Sequence, residues 1–576
     1  MTLRESQGPV RPDGEGPDAE LLGRVRAWQS QDPDSETCAE IDKLLADATS
    51  GTNSALASLR ERFDSRLEFG TAGLRGRIEA GPNRMNRVVV AQTAAGFAAF
   101  LLNQAESHQR PSIVIGYDGR KNSQVFARDT AEIMAGAGVR AIILPQMLPT
   151  PVLAFAVRHL NVSAGVMVTA SHNPAADNGY KVYLGGADHG SQIVAPTDAL
   201  IAERILQVAA SQSVLDLPRS KDYETADEMV IDEYVRLTAK LGVRQAPAIR
   251  YVYTPLHGVG WQTAERVFRD AGFGEPIVVK AQLHPDAAFP TVAFPNPEEP
   301  GALDLAFATA TQHGAELVVA NDPDADRLAI GIPDGRGGWH RLSGNEVGAL
   351  LGWHAAERLS KAGLEATFAA SIVSSPALAE VARQYGLKYV DTLTGFKWVS
   401  RVPGLSYGFE EALGYLVDPQ KVRDKDGISA AVEFLALITE LKAAGKTVAD
   451  HRADFAKRFG AFASDQISIR MEELGDIPLI MQSLRATPPS VIGRVPVRQV
   501  DDFADGFAGL PASDILRFWL DDGSRVIIRP SGTEPKIKVY LDTSSTAGTA
   551  VERQAAAQAQ IDELMVGMRS LLAKVG

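Results

Sequence analysis

What most limits the fold of this chain is a rhythm in which short apolar runs of strand length alternate with longer runs of helical spacing. A helical stretch from Val88 to Leu102 precedes the strand candidate Ser112-Ile-Val-Ile-Gly-Tyr117. A second, Ser123 to Ala137, precedes Val139-Arg-Ala-Ile-Ile-Leu144, and Val162 to Val168 offers a third strand. The rhythm returns with Arg250-Tyr-Val-Tyr253, the helix Gln262 to Ala271, Pro276-Ile-Val-Val279 and Leu317-Val-Val-Ala320. It returns again with Glu346 to Leu359, Thr367 to Val373, Pro376 to Tyr385 and Lys388-Tyr-Val390. Strands alternating with helices imply βαβ units and mixed, mostly parallel sheets, so three α/β units are expected. No residue-level repeat links them. From about Gly460 the pattern changes to short strands, such as Asp465-Gln-Ile-Ser-Ile469 and Ser524-Arg-Val-Ile-Ile528, closing on an Ala-rich helix from about Ala550. That segment reads as an α+β module.

The 576 residues exceed what one hydrophobic core serves, in keeping with several domains. Met1 to Asp18 carries repeated Pro and Gly and scattered charge, which leaves little to pack. Ala19 to Phe63 has helical spacing at Leu21, Leu22, Val25, Trp28, Ile41, Leu44 and Leu45, and reads as a helical extension. A formal net charge of −13 argues against nonspecific binding to nucleic acid or to an anionic membrane. An anionic substrate would therefore need locally concentrated positive charge. Cys38 is the one cysteine, so no intramolecular disulfide forms, which suits a reducing cytoplasm. The first twenty residues lack an apolar signal core. The uncharged stretch Val88 to Ala105 is broken by Gln92, Thr93 and Asn103 and reads as a buried helix rather than a membrane span. A soluble cytoplasmic protein is expected.

Four polar clusters punctuate this frame, and ligand sites of parallel sheets belong at the carboxyl ends of strands. Thr169-Ala-Ser-His-Asn-Pro174 follows a strand directly and is followed by Asn178-Gly-Tyr-Lys181. A serine is a poor nucleophile until its proton is removed, and His172 and Lys181 are candidates for that task; a simple capping turn is the competing reading. Asn321-Asp-Pro-Asp-Ala-Asp-Arg327 sets carboxylates at every second position, able to converge on a hard cation, or else to form a solvated acidic turn. Gly408-Phe-Glu-Glu-Ala-Leu-Gly-Tyr415 offers Glu410 and Glu411 to sugar hydroxyls, although alone it reads as a surface turn. Thr392-Leu-Thr-Gly-Phe-Lys-Trp398 sets Thr394, Gly395 and Lys397 beside an aromatic ring, and Arg423-Asp-Lys-Asp-Gly427 carries Lys425. Arg529-Pro-Ser-Gly-Thr-Glu-Pro-Lys536 is a candidate anion cradle built from Arg529, Ser531, Gly532 and Thr533. It is not a Walker loop.

The four clusters, in this order, resemble the α-D-phosphohexomutase superfamily of phosphoglucomutases and phosphomannomutases. Phe69-Gly-Thr-Ala-Gly-Leu-Arg-Gly76 is similar to the family's N-terminal signature and gives Arg75 an active-site place. The glutamate loop and the Thr392–Trp398 segment look most like the longer phosphoglucomutase and phosphopentomutase branch. The resemblance implies four domains around a central cleft, the first three alike and the last more mobile. With the extension as 1–66, they fall at 67–225, 226–336, 337–455 and 456–576. It implies a phosphoserine at Ser171, with magnesium held by Asp322, Asp324, Asp326 and that phosphate. Glu410 and its neighbours would bind hydroxyls, and the Arg529 cradle the phosphate that is not transferred. Arg75 and Arg327 would share the charge neutralisation, while His172, Lys181, Lys397 and Lys425 are candidates for moving protons. The implied reaction interconverts glucose 1-phosphate and glucose 6-phosphate through glucose 1,6-bisphosphate. Mannose or pentose phosphates are alternative substrates, and a sugar-bisphosphate synthase or phosphatase an alternative activity. A monomer or dimer is expected, with no nucleic-acid or membrane partner.

Overall fold

The computed structural model describes residues 17–105, 110–242, 248–471, 476–531 and 536–575; the expected N-terminal tail falls almost wholly outside them. The chain forms two compact units. One takes the chain up to Met147 with Val162–Leu184 and Ile193–Asp227, and the other takes Leu148–Asn161, Gly185–Gln192 and everything from Glu228 onward.

The first unit is built on one mixed sheet, in the order Leu74–Arg77, Asp177–Leu184, Ala164–Val168, Ser112–Tyr117, Arg140–Ile143, Glu224–Thr225. Its last four strands run parallel and its Leu74 edge antiparallel. The alternation of the sequence is realised here, with helices at Arg87–Gln104 and Ser123–Gly136. Asn86 opens the first of these by accepting the Val89 N–H, and most of that helix is buried. The apolar rhythm does not announce the strand Asp177–Leu184, which runs back between two neighbours. The extension forms three helices, Pro17–Gln29, Ser35–Thr49 and Asn53–Phe63. Their apolar faces (Val25, Ile41, Leu59, Phe63) share a core with Val88, Ala91 and Ile133. Glu40 joins the extension to the unit, accepting Arg62 Nη1 at 2.6 Å and the Ala80 N–H at 2.8 Å.

The second unit holds three sheets. One is ordered Trp339–Arg341, Ala329–Pro333, Leu317–Ala320, Tyr251–Thr254, Ile277–Val278, and another Lys388–Thr392, Thr367–Ser371, Leu405–Glu410, Gly414–Leu416. Both combine parallel pairs with antiparallel edges. The third is six-stranded and antiparallel from Ala461–Arg470 to Val491–Ile492, with its core closed by the helices Asp476–Ala486 and Ala550–Val575. Apolar residues of loops in the second of these sheets, Ile372, Val373 and Leu393, pack with Phe503, Ile527 and Tyr540 of the antiparallel module. The helix Thr150–His159, although flanked in sequence by strands of the first unit, packs in the second. Phe155 meets Tyr234 at 5.8 Å, and Arg158 Nη1 donates to the Pro419 carbonyl at 3.0 Å. Among the described residues no helix is long and apolar enough to cross a membrane.

Candidate active site

In the first unit the fully buried strand Ala164–Val168 delivers the chain to Ser171. Ser171 is itself buried and has φ of +52°, a left-handed conformation that a serine holds only when its surroundings enforce it. Thr169 Oγ1 accepts the Ser171 N–H at 2.8 Å. Arg120 grips the rest of the loop by its carbonyls, reaching those of Ser171 at 2.5 Å, Asn173 at 2.6 Å, Pro174 at 2.8 Å and Asp177 at 3.2 Å. Asp118, 3.5 Å away and itself hydrogen-bonded by Ser123, balances the Arg120 charge. His172 Nδ1 lies 3.2 Å from Ser171 Oγ. Arg75 Nη1 donates to Asn173 Oδ1 at 3.2 Å, and Lys181 is buried on the adjacent strand, opposite Met167. Arg120 escaped the sequence reading, although its place directly beyond the strand Ser112–Tyr117 is the same signal that marked Ser171.

In the second unit the buried strand Leu317–Ala320 leads into Asp322, Asp324 and Asp326, none of which is exposed. One oxygen from each lies within 4.8 Å of the others. Burial removes the solvated-turn reading. The loop is fixed by its main chain: the Val259 N–H donates to the Pro323 carbonyl at 2.9 Å, and Asn321 Nδ2 to the Arg327 carbonyl at 2.6 Å. Thr150 holds Asp324 through Oγ1 at 2.6 Å and through its N–H at 2.9 Å. Gly258 must lack a side chain, because a Cβ there would collide with the Pro323 backbone. Burial, aggravated by the charges of Asp324 and Asp326, pushes the Asp322 carboxyl well up. Lys425 Nζ, 2.7 Å from Asp326, and Arg327, 3.9 Å from Asp322, offset part of this charge. Three buried carboxylate oxygens converging within 4.8 Å of one another fit a hard divalent ion such as magnesium or manganese.

The same unit brings the remaining candidates into a connected set. Glu410 ends the strand Leu405–Glu410 and accepts the Gly395 N–H at 2.5 Å. Burial and the neighbouring Glu411 push its carboxyl up to about 7. Glu411 accepts from Ser374 Oγ at 3.0 Å and Ser371 Oγ at 3.2 Å. Arg529 Nη1 donates to Thr394 Oγ1 at 2.7 Å, and the Ser531 N–H donates to the Lys536 carbonyl at 2.8 Å. Lys397 sits on the short helix Phe396–Val399. Gly532 and Thr533 lie outside the described residues. Sequence reasoning missed Lys538 and Glu298. Lys538 faces Arg529 across the strands, its ammonium pushed down by burial, and Glu298 stands 3.8 Å from Arg327. Lys538 sits in a strand pattern and Glu298 in a Pro-rich loop, so neither carries a local signal.

Comparison with known proteins places this geometry. Residues 66–212, 232–335, 343–459 and 489–559 match the phosphoglucomutase/phosphomannomutase α/β/α domains I, II and III and the C-terminal domain, respectively. A Haemophilus influenzae protein named probable phosphomannomutase is 56% identical, over 80% of this chain and 93% of its own length. The human phosphopentomutase is 33% identical over 94% of both chains, and a Staphylococcus aureus phosphoglucomutase 34% identical over 84% and 90%. The fold is shared with a Burkholderia thailandensis phosphoglucomutase/phosphomannomutase family protein, at 20% identity and TM-score 0.68 over 89% and 98% of the chains. It is also shared with Paramecium parafusin, at 18% identity and TM-score 0.67 over 89% and 96%. By its four matched domains and its full-length relatives, this chain is a member of the phosphoglucomutase/phosphomannomutase family, the α-D-phosphohexomutase enzymes.

Proposed function

We propose that the protein interconverts glucose 1-phosphate and glucose 6-phosphate, with Ser171 as phosphoryl carrier and glucose 1,6-bisphosphate as intermediate. What supports the reading is the connected set in the second unit: a buried carboxylate triad, the glutamates Glu410 and Glu411, and an arginine, Arg529, whose guanidinium could hold a phosphate. Magnesium, held by Asp322, Asp324 and Asp326, would draw charge from the transferring oxygens. Phosphoryl transfer asks the rest of the site mainly for positioning and for charge. Arg75 and Arg327 share the charge. His172, 3.2 Å from Ser171 Oγ, returns the serine proton, and Lys181 is the candidate base for the sugar hydroxyl. Thr394, Gly395 and Lys397 line the substrate, with Ser531, Gly532 and Thr533 joining Arg529 on its phosphate. A carboxyl poised near 7, as at Glu410, can accept from or donate to a hydroxyl. That suits a loop which must read one sugar in two orientations as the bisphosphate turns over.

Mannose 1-phosphate is the second reading, favoured by the relative from Haemophilus influenzae, and ribose 1-phosphate the third, favoured by the human phosphopentomutase. Coupled assays across glucose, mannose, glucosamine and ribose 1-phosphates, with catalytic sugar bisphosphate and magnesium, rank them. Release of free phosphate without isomerised sugar would replace the mutase by a phosphatase. Unchanged turnover in Ser171→Ala would refute the carrier.

A further inference from the structure

A hydroxyl has one proton to give and two lone pairs to receive with, so its contacts say what it holds. Ser374 lies buried in the turn that follows the strand Thr367–Ser371. Its Oγ accepts the Glu411 N–H at 3.1 Å and stands 3.0 Å from Glu411 Oε2. Ser371 Oγ lies 2.8 Å from Ser374 Oγ and 3.2 Å from the same carboxylate oxygen, so the serine pair, centred on Ser374, holds both the main chain and the carboxylate of Glu411.

The carbonyl of Ser374 is held from another sheet. Arg525 Nη2 donates to it at 2.5 Å. Arg525 begins the strand Arg525–Pro530, whose penultimate residue is Arg529, the arginine proposed for the phosphate cradle. It is buried against Asp542 of the adjacent strand, with Nη2 at 2.6 Å and Nε at 3.0 Å from one oxygen, while Ser464 Oγ donates to the other at 2.6 Å. A buried ion pair is seldom the most stabilising choice, since apolar residues of similar size often pack as well. What it contributes here is direction, aiming one N–H at one carbonyl.

We infer that Arg525 and Ser374 are positioning residues that align the Glu411 carboxylate with the seating of the antiparallel sheet. The loop that presents Glu411 is then seated on the Arg525 strand through one serine, whose hydroxyl faces the carboxylate and whose carbonyl meets Arg525. The inference rests on the phosphosugar reading given above.

The test measures kcat and KM for glucose 1-phosphate, the inhibition constant of inorganic phosphate and the melting temperature in Ser374→Ala and Arg525→Lys. Ser374→Ala is expected to raise KM about tenfold, the effect of losing one hydrogen bond to a charged group, while kcat stays within about threefold. The phosphate inhibition constant should hold within about twofold, since the Arg529 side of the site is untouched. Arg525→Lys keeps the charge opposite Asp542 but loses the fork, and should move KM in the same direction. An unchanged KM in a stably folded Ser374→Ala overturns the inference. So does an equal rise in KM and in the phosphate constant, which would mean general loosening. A wild-type protein that turns over no phosphosugar refutes the proposed function itself, and the inference with it.

Discussion

Replacing Arg120 with lysine keeps the charge that balances Asp118 but removes the guanidinium fork that reaches four carbonyls of the serine loop. Three of those contacts are 2.8 Å or shorter, and each hydrogen bond from a charged donor contributes about 1.5–3 kcal/mol. A single ammonium can satisfy one or two of the carbonyls, so about 3 kcal/mol of loop restraint is lost. The left-handed φ of Ser171 carries a strain of about 1–3 kcal/mol, comparable with what is removed. The loop then spends most of its time relaxed, with the Ser171 hydroxyl misdirected. Arg120→Lys should lower kcat/KM for glucose 1-phosphate about a hundredfold. The assay is glucose 6-phosphate formation in a coupled system, with phosphoserine content read by intact mass and folding checked by thermal melting. A variant with a wild-type melting profile and kcat/KM within about threefold of wild type refutes the account.

Glu410→Gln tests the buried glutamate. Its carboxyl ionises near 4.5 when unfolded and near 7 when folded, so between these values the folded state holds the extra proton. Wild-type stability from this group therefore declines as pH rises through that window, and the variant lacks the slope. Its urea midpoint should gain on wild type from pH 5 to pH 8; a constant difference counts against the burial argument. Asp324→Asn relieves repulsion within the triad, so it should melt above wild type in chelator and below it in millimolar magnesium. An order that does not invert with magnesium argues against an ion at the triad. Gly258→Ala drives a methyl into the Pro323 backbone and should weaken the magnesium-induced thermal shift without abolishing folding. Titration of the melting temperature with magnesium reads it directly.

Much of this architecture is legible in the primary structure because apolar periodicity is local. Ser112–Tyr117 and Leu317–Ala320 announce themselves as short apolar runs between helical stretches. The polar clusters were legible for a related reason: Ser171 and Asp322 stand directly beyond buried strands, where parallel sheets expose their ends. What was not legible depends on residues distant in sequence. The strand Asp177–Leu184 owes its conformation to neighbours on both sides. Lys538 and Glu298 carry no local signal and come to notice only by facing Arg529 across the strands and by standing 3.8 Å from Arg327. The acidic run favours a cation site but also admits a solvated turn, because local sequence does not encode the packing that buries it.

The helix Thr150–His159 has a consequence for how the chain is made. It leaves the ribosome among strands of the first unit, yet it belongs to the second, where Phe155 meets Tyr234. Its anchor, Arg158, lies 261 residues ahead of the Pro419 carbonyl it will hold. At about 5–20 residues per second, that is a wait of roughly 10–50 s with apolar surface exposed. Vectorial synthesis thus cannot finish this protein one unit at a time. Holding that helix soluble until Pro419 emerges is a task for chaperones, and variants that slow its docking should aggregate during translation while refolding normally from denaturant.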